Sequence, residues 1–439
     1  MFKKIVSLLL AAAMMVTVFA ACGETGDESG ATYGSDETKT LADSGVTYGV
    51  ASSVSEGTAV SLKVGVILVG DETESYTEAH IEGIQSALTA LGLDYTDNNV
   101  CIWNYDIEES EQCQETAENL VAQGCNLIIS NSYGHQDYMK AVAEEYPDVM
   151  FVAMTGDTAA SSGLSNFANA FTEVYQSRYV SGVVAGMKLA ELIANDEIPE
   201  TGYDSDGNVK IGYVGAYNYA EVVSGYTAFF LGIQSVVPNV SMEVKYTNSW
   251  YDWDAENEAA KVLIADGCVV IGQHADSTGA PTAVQDAYAS GTVVYSVGYN
   301  VDMTDIGDAV LTSATNVWEI YYEYLFKTML YGGTVATNWT GGYEQGAVAI
   351  TTLGTQVAEG TAEKVAEVEA ALQAGTTHVF DTSKFTIDGA TVTWAYATDS
   401  DGDFTYDCNN VISDGYYHES WVQSAPSFAL RIDGITELS

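Results

Sequence analysis

The stretch Leu62-Lys63-Val64-Gly65-Val66-Ile67-Leu68-Val69 opens the regular part of the chain and indicates its fold class. It is an almost continuous apolar run, which is typical of a strand buried on both faces of a parallel sheet. A loop and a helical pattern over residues 78–91 follow it, and an apolar strand returns at residues 100–103. This strand–helix–strand alternation predicts a parallel, doubly wound α/β sheet.

The same alternation continues in two cycles along the chain. In the first cycle the pattern predicts helices at 111–123 and 136–145 and strands at 126–130 and 149–154. A long helical stretch at 175–195 opens the second cycle, with predicted strands at 210–215, 242–247, 268–272 and 293–297 and helices at 221–236, 254–266 and 281–289. Two such lobes joined by several crossings form a clamshell, with a cleft at the carboxyl ends of the strands.

The pattern also suggests a domain plan. The first lobe covers residues 62–174 and the second covers 175–302, and the chain returns to the first lobe over about 303–335. Residues 336–439 complete the lobes. This last part has β-like segments at 347–351, 385–387 and 391–396 around a helix at 362–374.

Residues 1–22 have the pattern of a bacterial export signal. Lys3 and Lys4 give a positive start, residues 5–19 give a short apolar stretch, and Ala20-Ala21-Cys22 ends it. The stretch is too short for a comfortable membrane span, which indicates cleavage. Because a cysteine after two small residues resembles a lipobox, we expect Cys22 to carry a lipid anchor on the extracytoplasmic face of the cell membrane. An ordinary secretory signal with an incidental cysteine is the alternative.

Residues 23–61 are rich in Gly, Ser, Thr, Asp and Glu and poor in large apolar side chains. Two similar sextets occur in this segment, SGATYG at 29–34 and SGVTYG at 44–49. A segment of this composition cannot bury enough apolar surface to fold alone. It predicts a disordered, flexible tether between the lipid and the first lobe.

The chain is strongly acidic, with 61 acidic against 14 basic residues and a formal net charge of −47. Such a charge repels nucleic acid and anionic lipid surfaces, so we expect no nucleic-acid partner. Membrane contact is expected only through the lipid anchor. We also expect a monomer.

The cysteines and aspartates give no pattern of a metal site. Besides Cys22 there are five widely spaced cysteines without a C-x-x-C pair, which argues against zinc and leaves any disulfide pairing open. Cys125 and Cys268 each lead into an apolar run, so buried thiols are favoured there. The aspartates of 399–407 fit a hairpin turn better than a calcium loop. We expect neither a metal nor a cofactor.

The sequence also lacks the motifs of common enzyme classes. It has no G-x-S-x-G elbow, no G-x-G-x-x-G after a predicted strand, and five histidines without triad-like surroundings. We therefore expect a binding protein and not an enzyme.

The loops after the predicted strands meet at the cleft and carry aromatic and compact polar residues. They are 70–80, 131–135, 155–158, 216–219, 249–252, 273–279 and 299–302. Flat rings and directional hydrogen-bonding groups suit a planar heteroaromatic ligand better than a simple ion. For any single loop, Tyr and Trp that only cover the domain edge are the alternative.

Eight segments of the chain together carry a family resemblance. They are 64–83 (VGVILVGDETESYTEAHIEG), 120–129, 146–149, 179–185 (YVSGVVA), 211–215, 249–252, 267–278 and 311–313. They resemble the basic membrane protein family of bacterial lipoproteins, the purine nucleoside- or nucleobase-binding components of ABC importers. The resemblance covers about residues 62–350. It implies a type I periplasmic-binding-protein-like clamshell, a purine ligand and an ABC permease as partner.

In that family the purine lies between aromatic rings from opposite lobes, and carboxylates hold its edge or its ribose. By resemblance, Tyr76 matches the ring of the first loop and Asp71 the acid of that loop. Trp250 matches the aromatic residue before an acid, here Asp252. Either Asp276 or another polar residue nearby would read the base edge.

Two departures from the family pattern concern the ribose. In GYNVD (298–302), Asn300 replaces the first acid of a Gly-Val-Asp-x-Asp pattern, and Asn316 and Trp318 stand where nucleoside binders have a lysine. These changes favour a free base such as adenine or a modified nucleoside. The resulting candidate ligand-binding residues are Asp71, Tyr76, Thr77, Tyr133, Thr155, Tyr217, Trp250, His274, Asp276, Asn300 and Asp302.

Two functions follow as hypotheses. The favoured one is a lipid-anchored solute-binding protein that delivers its ligand to a membrane permease. The alternative is a clamshell surface receptor or sensor for a small molecule, without transport.

Overall fold

The computed structural model describes residues 46–48, 57–395, 410–421 and 423–438. The predicted export signal with Cys22, most of the predicted tether and the aspartate-rich turn at 399–407 lie outside these residues. Among the helices in the described ranges, none combines the length and the apolar character needed to cross a lipid bilayer.

The described chain alternates strands and helices throughout both predicted cycles. The strands are β1 (Val46–Tyr48), β2 (Val64–Ile67), β3 (Cys101–Asn104), β4 (Leu127–Ser130), β5 (Met150–Met154), β6 (Phe167–Ala170), β7 (Val209–Gly215), β8 (Val240–Tyr246), β9 (Val270–Gln273), β10 (Tyr295–Tyr299), β11 (Val310–Asn316), β12 (Asn338–Thr340), β13 (Val348–Ile350), β14 (Ile412–Ser413), β15 (Tyr416–Tyr417) and β16 (Ile435–Leu438). The α-helices are α1 (Ser75–Ala90), α2 (Glu111–Ala122), α3 (Gln136–Glu145), α4 (Ala159–Ser162), α5 (Val174–Ala194), α6 (Ala220–Gln234), α7 (Trp253–Ala265), α8 (Gly279–Ala289), α9 (Trp318–Leu330) and α10 (Thr361–Gln373). Short 3-10 turns lie at Tyr133–His135, Glu200–Gly202 and Thr304–Ile306.

Fourteen of these strands form two seven-stranded sheets, one in each lobe, and β14 and β15 form a separate antiparallel pair. The first sheet has the order β1-β12-β6-β5-β4-β2-β3, with parallel pairing throughout. The second has the order β13-β11-β10-β9-β7-β8-β16 and is parallel except for the β11–β13 edge. In each sheet the strand order reverses next to the first strand of a cycle, β2 or β7, and a crevice opens at the carboxyl ends there. The predicted fold of two doubly wound lobes is confirmed.

Helices cover both faces of each sheet and bury an apolar cluster on each face. In the first lobe, α1 and α9 pack on one face and α2 and α3 on the other. In the second lobe, α5 and α6 pack on one face and α7 and α8 on the other. Four cysteines in these clusters are buried free thiols, as expected for two of them; they are Cys101, Cys113, Cys125 and Cys268.

The chain crosses between the lobes before α5, before α9 and after β12, and these crossings lie side by side. The amide of Glu173 donates to the carbonyl of Gly341 at 2.7 Å, and that of Val317 donates to the carbonyl of Ala347 at 2.8 Å. The hydroxyl of Thr172 donates to Oδ1 of Asn316, which ties two of the crossings together.

The return to the first lobe starts later than predicted. β11 pairs with β10 and so belongs to the second sheet. Tyr299 and Ala314 contact the first-lobe cluster from the second sheet, and α9, which starts at Trp318, is the first element of this part that packs within the first lobe. The boundary expected near residue 303 was therefore too early, because β11 uses the open edge that β10 offers directly before it in the chain.

The C-terminal part completes mainly the second lobe. β16 pairs in parallel with β8, with Ile435 opposite Met242, and α10 packs against α5. The β-like segments expected at 385–387 and 391–396 do not form strands in the part of them that the structure describes. An isolated bridge joins Ile387 and Ala390 in this region. The two residues of the turn, Asp388 and Gly389, have positive φ angles, as in a tight hairpin. The next carbonyl, that of Thr386, accepts from the amide of Asp433 at 2.8 Å and is therefore not free for a longer ladder.

The predicted tether contains a strand. β1 pairs in parallel with β12 at the edge of the first sheet, with Val46 opposite Asn338. The centre of the second sextet is thus an edge strand and not free chain. Its Val-Thr-Tyr composition suits a strand, although three residues are too few to give a periodic signal.

Two glycines let α5 and α6 cross with their backbones in contact. A Cβ atom built on Gly182 would lie 2.2 Å from the carbonyl oxygen of Phe229. A Cβ atom built on Gly232 would lie 2.1 Å from the carbonyl oxygen of Tyr179. Real Cβ atoms do not approach a backbone oxygen this closely, so the crossing requires both glycines.

We expect Gly232→Ala to lower the free energy of unfolding by roughly 2–3 kcal/mol, because the added methyl group would push the two helices apart. Urea denaturation of the purified protein would measure the change. Gly57→Ala is the matched control, since its Cβ atom would meet nothing closer than the carbonyl of Tyr331 at 4.0 Å. Equal midpoints for the two variants would contradict the expectation.

Candidate functional site

A cavity of about 460 Å³ lies between the lobes, at the carboxyl ends of the strands of both sheets. The first lobe contributes the loops after β2, β3, β4 and β5. The second lobe contributes the loops after β7, β8 and β9 and the end of β10. The lining residues are Val69, Gly70, Asp71, Thr73, Glu74, Tyr76, Asp106, Glu109, Ser132, Tyr133, Thr155, Tyr217, Glu221, Ser249, Trp250, Tyr251, His274, Asp276 and Tyr299.

Most of the residues predicted from the sequence line this cavity. They are Asp71, Tyr76, Tyr133, Thr155, Tyr217, Trp250, His274 and Asp276. The strand-end rule brings them together because parallel strands in one sheet all end at the same edge.

Three predicted residues lie outside the lining. Thr77 is fully buried, donates to Glu74 and accepts from the Asn131 side chain, so it holds the loop after β2. Asn300 is buried and donates from Nδ2 to Oδ1 of Asp276 at 2.7 Å. Asp302 is exposed, and its carboxylate accepts from the backbone amide and the hydroxyl of Thr304. In the structure these three residues position a neighbouring side chain or stabilise a turn, and they do not line the cavity.

Aromatic rings face the cavity from both lobes. Tyr76, at the start of α1, donates its hydroxyl to the carbonyl of Asn131 and so has a fixed position in the first lobe. Trp250 in the second lobe packs edge-on against Tyr217, with ring centroids 5.0 Å apart at 65°. Rings fixed in this way offer flat surfaces for a planar ligand.

Two carboxyl groups of the cavity come from opposite lobes, Glu74 and Asp276. Burial raises the pKa of Glu74 to about 7, and the negative charge of Asp71 adds to the shift. Burial also raises the pKa of Asp276 well above its usual range, with Glu74 as the next largest cause. The hydroxyl of Ser75 donates to the backbone carbonyl of Asp276 at 2.6 Å, which joins the lobes at this point. Both causes favour the protonated form of Asp276, and a protonated carboxyl can both donate and accept a hydrogen bond.

A buried arginine determines which ring nitrogen of His274 carries the proton. Arg178 on α5 is 2% exposed, and its guanidinium carbon lies 3.7 Å from the ring centroid of Tyr299. It donates from a terminal nitrogen to Nδ1 of His274 at 3.1 Å. Because arginine can only donate, Nδ1 of His274 is an acceptor and the proton is on Nε2. Nε2 lies 3.1 Å from Oε1 of Glu221. Burial lowers the pKa of His274, in keeping with a neutral ring.

Sequence reasoning missed several lining residues. Asp106 and Glu109 lie in the loop after β3, and the strand-end rule would have found them if it had been applied to that loop. Glu221 stands in the first turn of α6, just beyond the predicted loop. Arg178 gave no signal, because it lies inside a long helix and reaches the site only through the packing of α5.

His80, at the end of the predicted loop 70–80, has a structural role. It is fully buried, and its Nδ1 lies 2.6 Å from the Tyr322 hydroxyl. Its ring stacks on Trp318 at 4.3 Å. Burial lowers its pKa to about 3, so it stays neutral.

The cavity lining is rich in carboxyl groups and has no lysine or arginine. The acidic lining residues are Asp71, Glu74, Asp106, Glu109, Glu221 and Asp276. In the described part of the chain, no cluster of three or more His, Cys, Asp or Glu side chains could hold a metal ion. The arrangement can stack a flat ring and hydrogen-bond its edge, and it disfavours phosphate or carboxylate ligands.

Comparison with known proteins agrees with this architecture. Residues 61–375 match the profile of a family described as PnrA-like ABC transporter substrate-binding proteins. A purine-binding protein of Brucella abortus is 30% identical over 321 residues, which cover 73% of this chain and 83% of that protein. A Haloferax volcanii protein, whose name assigns it provisionally to glucose binding in an ABC transporter, is 33% identical over 250 residues and 56% of this chain. The chain spans 57% of the length of that second relative.

Solved structures share the two-lobed fold. A solute-binding protein of an ABC transporter system from Conexibacter woesei superposes with a TM-score of 0.56 at 21% identity, covering 72% of this chain and 98% of that one. A second such protein, from Aeropyrum pernix K1, has a TM-score of 0.59 at 16% identity and covers 73% of this chain and 93% of its own. These similarities show the type I periplasmic-binding-protein-like fold.

Proposed function

Since the chain belongs to the PnrA-like family of ABC transporter substrate-binding proteins, we propose that its ligand is a purine base or nucleoside held in the interlobe cavity. The observation that carries the proposal is the lining of that cavity. It places Tyr76 and Trp250, from opposite lobes, around one space with the Asp276 carboxyl group at its edge. The family is one of solute-binding proteins and not a class of enzymes.

The geometry supports a purine for two reasons. Stacking of a base contributes about 1–3 kcal/mol per aromatic side chain, and the cavity offers such rings from both lobes. Burial favours the protonated form of Asp276, which can donate to a ring nitrogen and accept from an adjacent N–H group, and this matches the alternation along a purine edge. A base without these groups would leave the carboxyl with only the hydrogen bond that it accepts from Asn300, at a cost of about 1–3 kcal/mol.

The acidic lining limits what may be attached to the base. Six carboxyl groups line the cavity, and its lining has no lysine or arginine. A nucleotide phosphate would meet only like charge there, whereas a base or nucleoside is uncharged. The proposal therefore covers bases and nucleosides and leaves nucleotides out.

We further propose that the protein works outside the cytoplasm, is held to the membrane through a lipid on Cys22, and passes its ligand to an ABC permease for import. The pattern of residues 1–22 supports the anchor. The family membership supports the permease as partner. A receptor that senses the same ligand without transport is the other function that this fold could serve.

Titration calorimetry of the purified protein, after unfolding and refolding to remove any bound molecule, would test the ligand class. We expect adenine or adenosine to bind with a dissociation constant in about the micromolar range or below. Adenosine monophosphate is expected to bind at least about tenfold more weakly, because its phosphate enters an acidic cavity.

Glucose is the control ligand, because a relative is named for glucose binding. Binding of glucose together with no binding of any purine would refute the proposal. Mass spectrometry of small molecules released from the freshly purified protein would give an independent answer, with a purine as the expected species.

A further inference from the structure

A second cavity of about 400 Å³ lies beside the interlobe cavity. The two cavities share four residues in their walls, which are Tyr133, Thr155, Glu221 and Trp250. A ligand that stacks on Trp250 therefore has a second space next to it within the same cleft. We call this second space the side cavity.

The C-terminal segment forms one wall of the side cavity. Ala425, Pro426, Ala429 and Arg431 line it. All four lie beyond residue 375, where the match to the family ends. The side cavity is thus completed by a part of the chain that the family profile does not include.

This wall is fixed before any ligand binds. Phe428, between the lining residues, is fully buried and stacks on Phe380 with ring centroids 4.2 Å apart at 12°. The Nε atom of Arg431 lies 2.8 Å from Oε1 of Glu437, and another guanidinium nitrogen donates to Oδ1 of Asn218. The charge of Arg431 is therefore already paired within the protein, and the wall offers no free cation to a ligand.

The interior of the side cavity is mainly apolar. Phe171 and Val223 are buried and face it from the two lobes, together with Ala220 and the ring of Tyr219. The alanines and the proline of the C-terminal wall add further apolar surface. An apolar group gains about 25 cal/mol for each Å² removed from water in such a space. The wall also has polar side chains, and these already have partners within the protein: Asp157 accepts from Tyr133, Asn218 accepts from Arg431, and Glu221 lies next to His274. A group rich in hydroxyls would have to compete for them.

We infer that the natural ligand is a purine with an apolar arm, an alkyl or aryl substituent, and that the side cavity holds this arm. The inference rests on the proposed purine function and adds the nature of the substituent. The purine ring occupies the interlobe cavity against Trp250, and the arm lies against Val223 and Ala429.

Calorimetric titration with adenine and with 6-benzylaminopurine tests the inference, because the two ligands differ only in the arm. For the wild-type protein we expect 6-benzylaminopurine to bind about tenfold or more tightly than adenine. Ala429→Trp places a large ring in the side cavity and should abolish this advantage while adenine still binds. Ala429 is partly exposed, so the larger side chain has room to fold, and Ala429→Ser is the matched control that should keep the advantage.

Each other outcome has a definite meaning. Equal affinity of the wild-type protein for both ligands, or an advantage that survives Ala429→Trp, overturns the inference. Adenosine binding more tightly than 6-benzylaminopurine would assign the side cavity to a sugar and would also overturn it. In these cases adenine binding still upholds the proposed function, whereas no binding of any of the three purines refutes the function and the inference together.

Discussion

Trp250→Ala is expected to lower the affinity for the purine ligand by about 10- to 100-fold, the loss of one stacking face for a base. The Trp250 ring lines the interlobe cavity from the second lobe and also forms part of the wall of the side cavity. Its removal opens both spaces to water and takes away the edge-on contact that holds Tyr217. Calorimetric titration with the best-binding purine would measure the change.

A neighbouring tryptophan provides the control. Trp253 lies three residues further on, is 40% exposed and does not line the cavity. Trp253→Ala should therefore leave the affinity close to that of the wild-type protein. If both substitutions lowered the affinity equally, the loss would be due to a change in the local structure around residues 250–253. The prediction that the ligand stacks on Trp250 would then be wrong.

Stability is expected to fall as pH rises above about 6.5, which is the second large effect. Burial raises the pKa of Glu74, Glu173, Glu256 and Glu419 from 4.5 to about 7 in the folded protein. Between about pH 4.5 and pH 7 these carboxyl groups bind more protons in the folded state than in the unfolded state. Their contribution to stability therefore decreases as the pH rises through this range. From pH 6.5 to pH 8 the four groups together should remove roughly 3 kcal/mol of the free energy of unfolding.

The histidines act in the opposite direction, at lower pH. Burial lowers the pKa of all five from 6.5; they are His80, His135, His274, His378 and His418. The unfolded state then binds more protons below pH 6.5, and stability rises with pH over that range. Between about pH 4.5 and 6.5 the histidines and the glutamates oppose each other. We therefore expect a broad maximum of stability at mildly acidic pH.

Urea denaturation at a series of pH values would test this profile. The double variant Glu173→Gln and Glu419→Gln removes two of the four groups. Both lie at the hinge side of the second lobe. Glutamine keeps an acceptor oxygen for the hydrogen bonds that each glutamate accepts. The double variant should show about half of the wild-type loss between pH 6.5 and pH 8. Glu363→Gln, at an exposed position on α10, should keep the wild-type slope. A wild-type stability that rises from pH 6.5 to pH 8 would contradict the assignment.

Most helices of the two cycles could be predicted because they are long enough to show their period, and most strands because they are continuous apolar runs. Runs such as residues 62–69 identified buried parallel strands, and the strand-end rule then located most of the cavity. The strands β1, β12 and β16 have three or four residues each and no such run; β1 and β16 lie at sheet edges, and β12 lies beside β1. Their places depend on pairing with distant parts of the chain.

The remaining errors at the site have a similar cause. Asn300 lies in a strand-end loop and Thr77 lies in the first turn of α1, but their side chains turn to Asp276 and Glu74 and not to the cavity. A sequence pattern gives the loop and not the direction of a side chain within it. The contact of Arg178 with His274 joins residues almost a hundred positions apart, and only the packed structure shows it.

For a protein held by the proposed lipid on Cys22, the edge strand β1 limits how far the folded lobes can move from the membrane. With β1 paired to β12, only residues 23–45 separate Cys22 from the first sheet. A chain of that length reaches at most about 80 Å, even when fully extended. Release of β1 would move the first fixed point to Val60, whose amide donates to Leu330, and would add about 50 Å of reach. Under the proposed function, the pairing of three residues at one sheet edge would therefore set the radius within which the protein meets the proposed permease.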